Sequence, residues 1–264
     1  MSSDYIVKPV HKALQVLLCL GEDGQPQTLT EICYKVRLPK TTVFRYLQTL
    51  HASGFVGHDA DSDTYRLGLR LFELGQLAGD QLRVRDVAWP YLQSLRDQFN
   101  ETINLGMLDN MEIVYIDMAE SRHSLRMQAR LGSRDPVYST ALGKAILAFT
   151  PQERWPQHIP ERFEPRTAQT QISRNALYDE LLNSRARGYA LDNGENEEGT
   201  LCIGAPIFDH SGHVRYALSL SAPASRIDES TLPAVTAAIV DVAATVSQRL
   251  GYRGVDDFRL TIDD

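Results

Sequence analysis

Apolar residues recur at helical spacing along the start of the chain. Val10, Ala13, Leu14, Leu17, Leu18 and Leu20 share one side of a 3.6-residue repeat, so residues 9–20 are predicted to form an amphipathic helix that Gly21 and Gly24 stop. Thr28, three residues ahead of Glu31, is a capping-box pattern that opens a second helix with Leu29, Ile32, Cys33 and Val36 on its apolar face. Leu38-Pro39 breaks that helix. Pro39 suits the first turn of a third, which carries Val43, Phe44, Leu47 and Leu50 and ends at Gly54. Two short helices on a tight turn make a helix-turn-helix. Phe55-Val56, the polar run 59–63 and the segment 64–67 then suggest a small hairpin, the wing of a winged helix.

Beyond that hairpin, Leu71, Leu74, Leu77 and Leu82 line one side of residues 70–82, a linker helix that can pack on its own domains, on a second copy, or on both. A further helix over 84–100 turns Val87, Leu92, Leu95 and Phe99 inward, with a kink or break expected near Trp89 because of Pro90. The period then changes to two. Ile103, Leu105 and Met107 alternate, the turn Asp109-Asn110 follows, and 113–116 is a β-rich run; Leu125, Met127 and Ala129 alternate again. Helices are predicted over 141–149, around 152–158, over 175–187 and over 229–250, with strands at 189–192, 202–208 and 214–221. The fold class is α+β with a mostly antiparallel sheet. The expected organisation is a DNA-binding module over 1–70, a linker helix over 71–83, a ligand domain over 84–255 and a poorly ordered tail over 256–264.

Charge changes this picture only once it is divided. Lys and Arg number 27 against 34 Asp and Glu, a net charge of −7 that as a bulk figure argues against nucleic acid. Residues 1–70 nevertheless carry net +1 and the remainder −8, and residues 32–58 hold Lys35, Arg37, Lys40 and Arg45 with no acid. The third helix should present Lys40, Thr41, Thr42, Arg45, Tyr46 and Gln48, the place where a recognition helix meets base edges, with Arg37 just ahead of it. Arg45 can pair with guanine or phosphate, and Thr41 and Thr42 can donate to phosphates. The plain alternative is a small helical bundle with a polar face. Three helices followed by a hairpin, with an acid-free basic helix among them, favour double-stranded DNA.

Three scattered cysteines, Cys19, Cys33 and Cys202, make neither a disulfide framework nor a metal site and suit a reducing cytoplasm. No basic-then-apolar leader is visible, and no apolar run approaches the roughly 20 residues that span a bilayer, so no membrane partner is expected.

Three segments suggest a ligand. Residues 138–144 are a loop of small residues running into a helix, where free N–H groups and the helix dipole favour an anion. They are not a phosphate loop: Tyr138 stands where the first glycine would be, and Ala145 follows the lysine. Residues 192–202 are a long acidic loop between strands. Ser219 and Ser221 alternate, so their hydroxyls point to the same side. Brought together, these groups would suit a small carboxylate or keto acid. Taken singly, each is an ordinary helix cap, surface loop or polar sheet face. No GxSxG, HExxH, CxxC or dinucleotide loop occurs, so no catalytic residue, cofactor or metal is assigned; His210 and His213 flank an exposed hairpin tip. An enzyme built on Cys202 would need a base that the sequence does not place.

The segments LTEICYKVRLPKTTVFRYLQTLHASGFV, YRLGLRLFELG, GSRDPVYSTALGKAILA, GYALDNGENEEGTLCIGAPIFD and ALSLSAPASR, together and in this order, resemble the IclR-type transcriptional regulators from end to end. The resemblance implies an N-terminal winged helix, a linker helix and a GAF-like effector domain, acting as a homodimer or a dimer of dimers on operator DNA. It implies effector donors at Ala141 and Leu142 in the helix start that runs to Gly143, an acidic-loop aspartate at Asp192, a cysteine at Cys202, hydroxyls at Ser219 and Ser221, and an apolar wall at Met127. Ala141 stands where small-molecule members often have glycine. Within the family, residues 101–148 are most similar to the KdgR group, which responds to 2-keto-3-deoxygluconate. Regulators of aromatic-acid pathways share much of the pattern. The expected function is a repressor of a carbon-catabolism operon that senses a small keto or sugar acid.

Overall fold

Thr28 opens a helix as its spacing with Glu31 predicts: the Glu31 carboxylate accepts the Thr28 N–H at 2.7 Å, and the Thr28 hydroxyl accepts the Glu31 N–H at 3.4 Å. The computed structural model describes residues 6–22, 24–80, 83–127 and 129–254, and the chain divides into two units, 1–82 and 83–264. Leu82 and the tail at 256–264 lie outside the described residues.

The first unit runs α1 (Lys8–Glu22), β1 (Gln27–Thr28), α2 (Leu29–Val36), α3 (Lys40–Ala52), β2 (Val56–Asp59), β3 (Thr64–Leu67) and α4 (Leu69–Asp80). β2 and β3 form the predicted hairpin. β1, too short to show a period in the sequence, adds a third antiparallel strand against β3. Val16, Cys19, Leu20, Ile32, Val43, Leu47, Val56 and Tyr65 make the core. The apolar side of α1 differs from the expected one. Val16, Cys19 and Leu20 are buried, whereas Val10, Leu14 and Leu18, four residues apart, are exposed. Phe44 likewise points outward from α3, and Leu74 and Leu77 of α4 are exposed.

The second unit runs α5 (Arg83–Phe99), β4 (Thr102–Asp109), β5 (Glu112–Ala119), β6 (Arg134–Pro136), α6 (Ala141–Phe149), α7 (Trp155–His158), α8 (Arg174–Arg187), β7 (Ala190–Asn193), β8 (Thr200–Phe208), β9 (Val214–Pro223) and α9 (Leu232–Arg249). The strands form one antiparallel sheet in the order β6-β5-β4-β9-β8-β7. Of the kink or break expected near Trp89, the break does not occur: α5 is continuous, with Pro90 on its exposed side and Val84, Ala88, Leu92 and Leu95 buried. The alternating run Leu125, Met127, Ala129 is not a strand, and the edge strand is instead the short β6. Carbonyls a ladder would have used are taken by side chains: Thr102 Oγ1 donates to the Met127 carbonyl at 2.8 Å, and Arg226 donates to that of Leu125.

Register sorts the sheet into two faces. Ile103, Leu220 and Ile203 lie side by side on β4, β9 and β8, as do Leu105, Leu218 and Ala205, all fully buried on the face covered by α5 and α9. The other face, packed by α6, carries small and polar residues.

Candidate functional site

On that second face, Asp192, Cys202, Ser221 and Thr102 are consecutive cross-strand partners along β7, β8, β9 and β4. The neighbouring row is Gly204, Ser219 and Asn104. Gly204 lets the helix start sit flat on the sheet, since a Cβ there would lie 2.6 Å from the Ala141 carbonyl oxygen. Gly143 does the same on the other side, where a Cβ would lie 2.1 Å from the Val137 oxygen.

Thr140 caps α6. Its hydroxyl accepts the Gly143 N–H at 3.1 Å, and the Lys144 N–H reaches the Thr140 carbonyl at 3.0 Å. The N–H groups of Ala141 and Leu142 have no protein partner among the described residues. They open at the positive end of the helix onto a cavity of about 90 Å³. One water needs roughly 10–15 Å³ on this scale, so the space takes a small polar molecule.

Seven of the eight ligand residues predicted from the sequence line this cavity: Met127, Ala141, Leu142, Asp192, Cys202, Ser219 and Ser221. Gly143 does not; its N–H is spent on the cap, and its role is close packing. Asn104, Tyr115 and Asp135 also line the cavity and were not singled out from the sequence; Asn196 lines it too and belongs to the acidic loop at 192–202. Asn104 sits on the polar face of an alternating strand, a signal that was legible. Asp135 arrives from a three-residue edge strand, which carries no such signal.

The cavity wall is acidic and polar. Asp135, Asp192 and Glu197 line it, with no lysine or arginine among the described residues. Burial raises the Asp192 carboxyl above its usual range, against the opposing pull of the Glu195 and Asn196 N–H groups on its Oδ1 at 2.7 and 3.2 Å. Burial, with Asp192 beside it, pushes the Cys202 thiol up, so it stays a protonated, unreactive thiol at neutral pH. Burial and Asp135 likewise raise Tyr115, whose hydroxyl donates to Asp135 Oδ2 at 3.0 Å.

The loop after β7 is tied down. Lys144, fully buried on α6, pairs with the Glu195 carboxylate. Thr170 Oγ1 donates to the Glu195 carbonyl at 2.7 Å and Thr167 Oγ1 to that of Gly194 at 2.6 Å. Ser139 donates to Asn196 Oδ1 at 2.9 Å.

In the first unit, Arg37 caps α2 in the left-handed region, with φ 53°, and turns the chain into α3. Arg37, Lys40, Thr41 and Arg45 are exposed, and none of the three cations pairs with an acid among the described residues. Thr42 is half-buried. Tyr46 differs from its expected exposure, packing partly buried against the core. The hairpin tip carries Asp59, Asp61 and Asp63, and the Asp61 N–H holds Asp59 below its usual range, so the tip is anionic. No group of three metal-ligating side chains and no helix long and apolar enough to cross a membrane occurs among the described residues.

Two family models match: the IclR helix-turn-helix domain over residues 9–60 and the bacterial transcriptional regulator IclR C-terminal domain over 76–248. The chain belongs to the IclR family. The HTH-type transcriptional regulator KdgR of Escherichia coli K12 is 38% identical over 250 residues, covering 93% of this chain and 94% of KdgR. The regulator XynR of the same strain is 33% identical over 248 residues, covering 94% and 98%. The crystal structure of the Thermotoga maritima IclR superposes with a TM-score of 0.76 at 33% identity, covering 94% of this chain and 100% of that one. As an IclR protein the chain is a ligand-responsive, DNA-binding transcriptional regulator and not an enzyme. The unactivated Cys202 accords with that role.

Proposed function

We propose that this regulator represses a sugar-acid catabolism operon in the cytoplasm and is released by a small keto or sugar acid of the 2-keto-3-deoxygluconate type. The observation that carries the reading is the cavity itself: two free N–H groups at the start of α6 face a wall of hydroxyls, a thiol, an amide and Asp192. Similarity to KdgR across both units supports the sugar-acid class. The effector's carboxylate sits on Ala141 and Leu142, its polar chain meets Asp192, Cys202, Ser219 and Ser221, and Met127 closes the apolar side.

Residues 1–70 form the DNA module, 71–83 the link and 84–255 the sensor. Lys40, Thr41, Thr42 and Arg45, with Arg37 at the turn and Tyr46 supporting the helix, form the operator surface. The protein acts as a homodimer or a dimer of dimers, with two recognition helices in successive major grooves about 34 Å apart. The exposed stripe Val10, Leu14 and Leu18 and the exposed apolar residues of α4 supply apolar surface for that association. The effector changes DNA affinity only by as much as it prefers one arrangement of the two sensors over the other.

The test is a titration of the protein's own promoter fragment with and without 2-keto-3-deoxygluconate. Weaker binding in the presence of the acid is expected. Unchanged DNA affinity across a panel of keto, sugar and aromatic acids would sink the ligand switch, and a response to aromatic acids alone would move the effector class.

A further inference from the structure

The polar groups of the cavity are unevenly satisfied. Asn104, on β4, is 3% exposed and lines the cavity. Its Nδ2 donates to Ser221 Oγ at 3.1 Å, while its Oδ1 is buried with no hydrogen-bond partner among the described residues. Buried polar atoms in folded proteins are nearly always paired, so an orphan on a cavity wall marks a place where a bound molecule supplies the missing group. Oδ1 is an acceptor, and it needs a donor.

The surrounding groups sharpen the requirement. Asp192 uses Oδ1 on two backbone N–H groups, and its Oδ2 has no partner among the described residues. Both Asp135 oxygens are taken, Oδ2 by the Tyr115 hydroxyl and Oδ1 by the Arg166 guanidinium. The acceptors left open on this part of the wall are Asn104 Oδ1 and Asp192 Oδ2, whereas the open backbone donors for an anion lie at the helix start, at Ala141 and Leu142. A keto oxygen and a carboxylate have no proton to give, so neither satisfies Asn104. An alcohol does.

We propose that Asn104 is a specificity residue of this cavity: its Oδ1 accepts a hydroxyl proton from the bound acid, so the effector is a hydroxylated acid and not a bare keto acid. The inference rests on the reading of the cavity as the effector site. It goes further by assigning recognition of the effector's hydroxyl end to a residue outside the helix start, the acidic loop and the two serines. A pocket built to hydrogen-bond a substrate hydroxyl rejects an analogue lacking it far more strongly than an apolar pocket does, because the analogue leaves the buried partner unpaired.

The experiment is calorimetric titration of the full chain with 2-keto-3-deoxygluconate and with 2-oxohexanoate, which share the six-carbon chain and the keto-carboxylate head and differ in the hydroxyls. The wild-type protein should bind the hydroxylated acid at least about tenfold more tightly. In Asn104→Leu that preference should shrink severalfold through weaker binding of the hydroxylated acid, with 2-oxohexanoate affinity within about threefold of wild type. Thermal unfolding of the variant checks its fold, and Asn104→Ala serves if the leucine disrupts β4. Equal wild-type affinities overturn the proposal, and so does an unchanged preference in a folded variant. In both those cases acids still bind, so the effector-site reading stands. If neither acid binds the wild-type protein, that reading falls and the role of Asn104 with it.

Discussion

The Lys144 ammonium and the Glu195 carboxylate, 51 residues apart, form a buried ion pair that joins α6 to the loop after β7. Lys144 has no exposed side-chain surface, and the Glu195 side chain is 11% exposed. Burial pushes the Glu195 carboxyl up, and Lys144 pulls it back. The pair therefore fixes the wall of the cavity to the helix whose first N–H groups open into it.

Removing one partner strands the other charge in a poorly solvated site. Lys144→Met should lower unfolding stability by roughly 3–5 kcal/mol, while the double variant Lys144→Met/Glu195→Gln should recover a large part of that loss. Urea unfolding midpoints of the four proteins in the cycle measure it. Additive losses would mean the pair does not act as a unit.

Asp192 should set the pH dependence of acid binding at the proposed site. Its carboxyl is already raised by burial, with Asp135 adding to the rise and Lys144 and the Glu195 and Asn196 N–H groups opposing it. A bound anion raises it further, so binding should take up protons and affinity should increase as pH falls toward the raised Asp192 range. One coupled proton limits the gain to about tenfold per pH unit. Titrations in buffers of different ionisation enthalpy count the protons, and Asp192→Asn should flatten the profile. A wild-type affinity that rises with pH would contradict this account.

Gly143 separates helix propensity from packing. Alanine at an ordinary helical glycine gains about 1 kcal/mol. Here the new Cβ would meet the Val137 backbone oxygen at 2.1 Å, so Gly143→Ala should instead destabilise by about 1–3 kcal/mol and weaken acid binding as Ala141 and Leu142 shift. A melting temperature equal to or above wild type would refute the close-packing argument.

Arg45 tests the operator surface. It is exposed on α3 and has no acidic partner among the described residues. Arg45→Ala should cost roughly 1–3 kcal/mol of operator binding if it reads a base, and much less on random duplex. Equal losses on both duplexes, in fluorescence anisotropy at one fixed salt concentration, would assign it to phosphate instead.

Much of the first unit was legible because its signals are local. The Thr28–Glu31 box, the Pro39 break and the spacing of Val43 and Leu47 each act within one helical turn. The errors came where a local pattern needed a distant partner. Leu125, Met127 and Ala129 alternate like a strand, yet Thr102 and Arg226 take carbonyls from that segment and no ladder forms. The helix α1 has apolar residues on more than one side, and only the packing of α2 and α3 selects Val16 and Leu20 over Leu14 and Leu18.

By itself the sequence determined most of the helices and strands in order, the basic α3 and three of the segments that line the cavity, because periodicity, capping and charge are written in neighbouring residues. Only the tertiary structure decided that Asp192, Cys202 and Ser221 stand in one cross-strand row, that Asn104 of the neighbouring row bonds Ser221 and keeps an oxygen without a partner among the described residues, and that Lys144 anchors the loop. Those relationships depend on strand register and on the close approach of α6 over Gly204. A one-residue slip in any strand turns its side chains to the opposite face, and nothing in the local sequence records which partner that strand will meet.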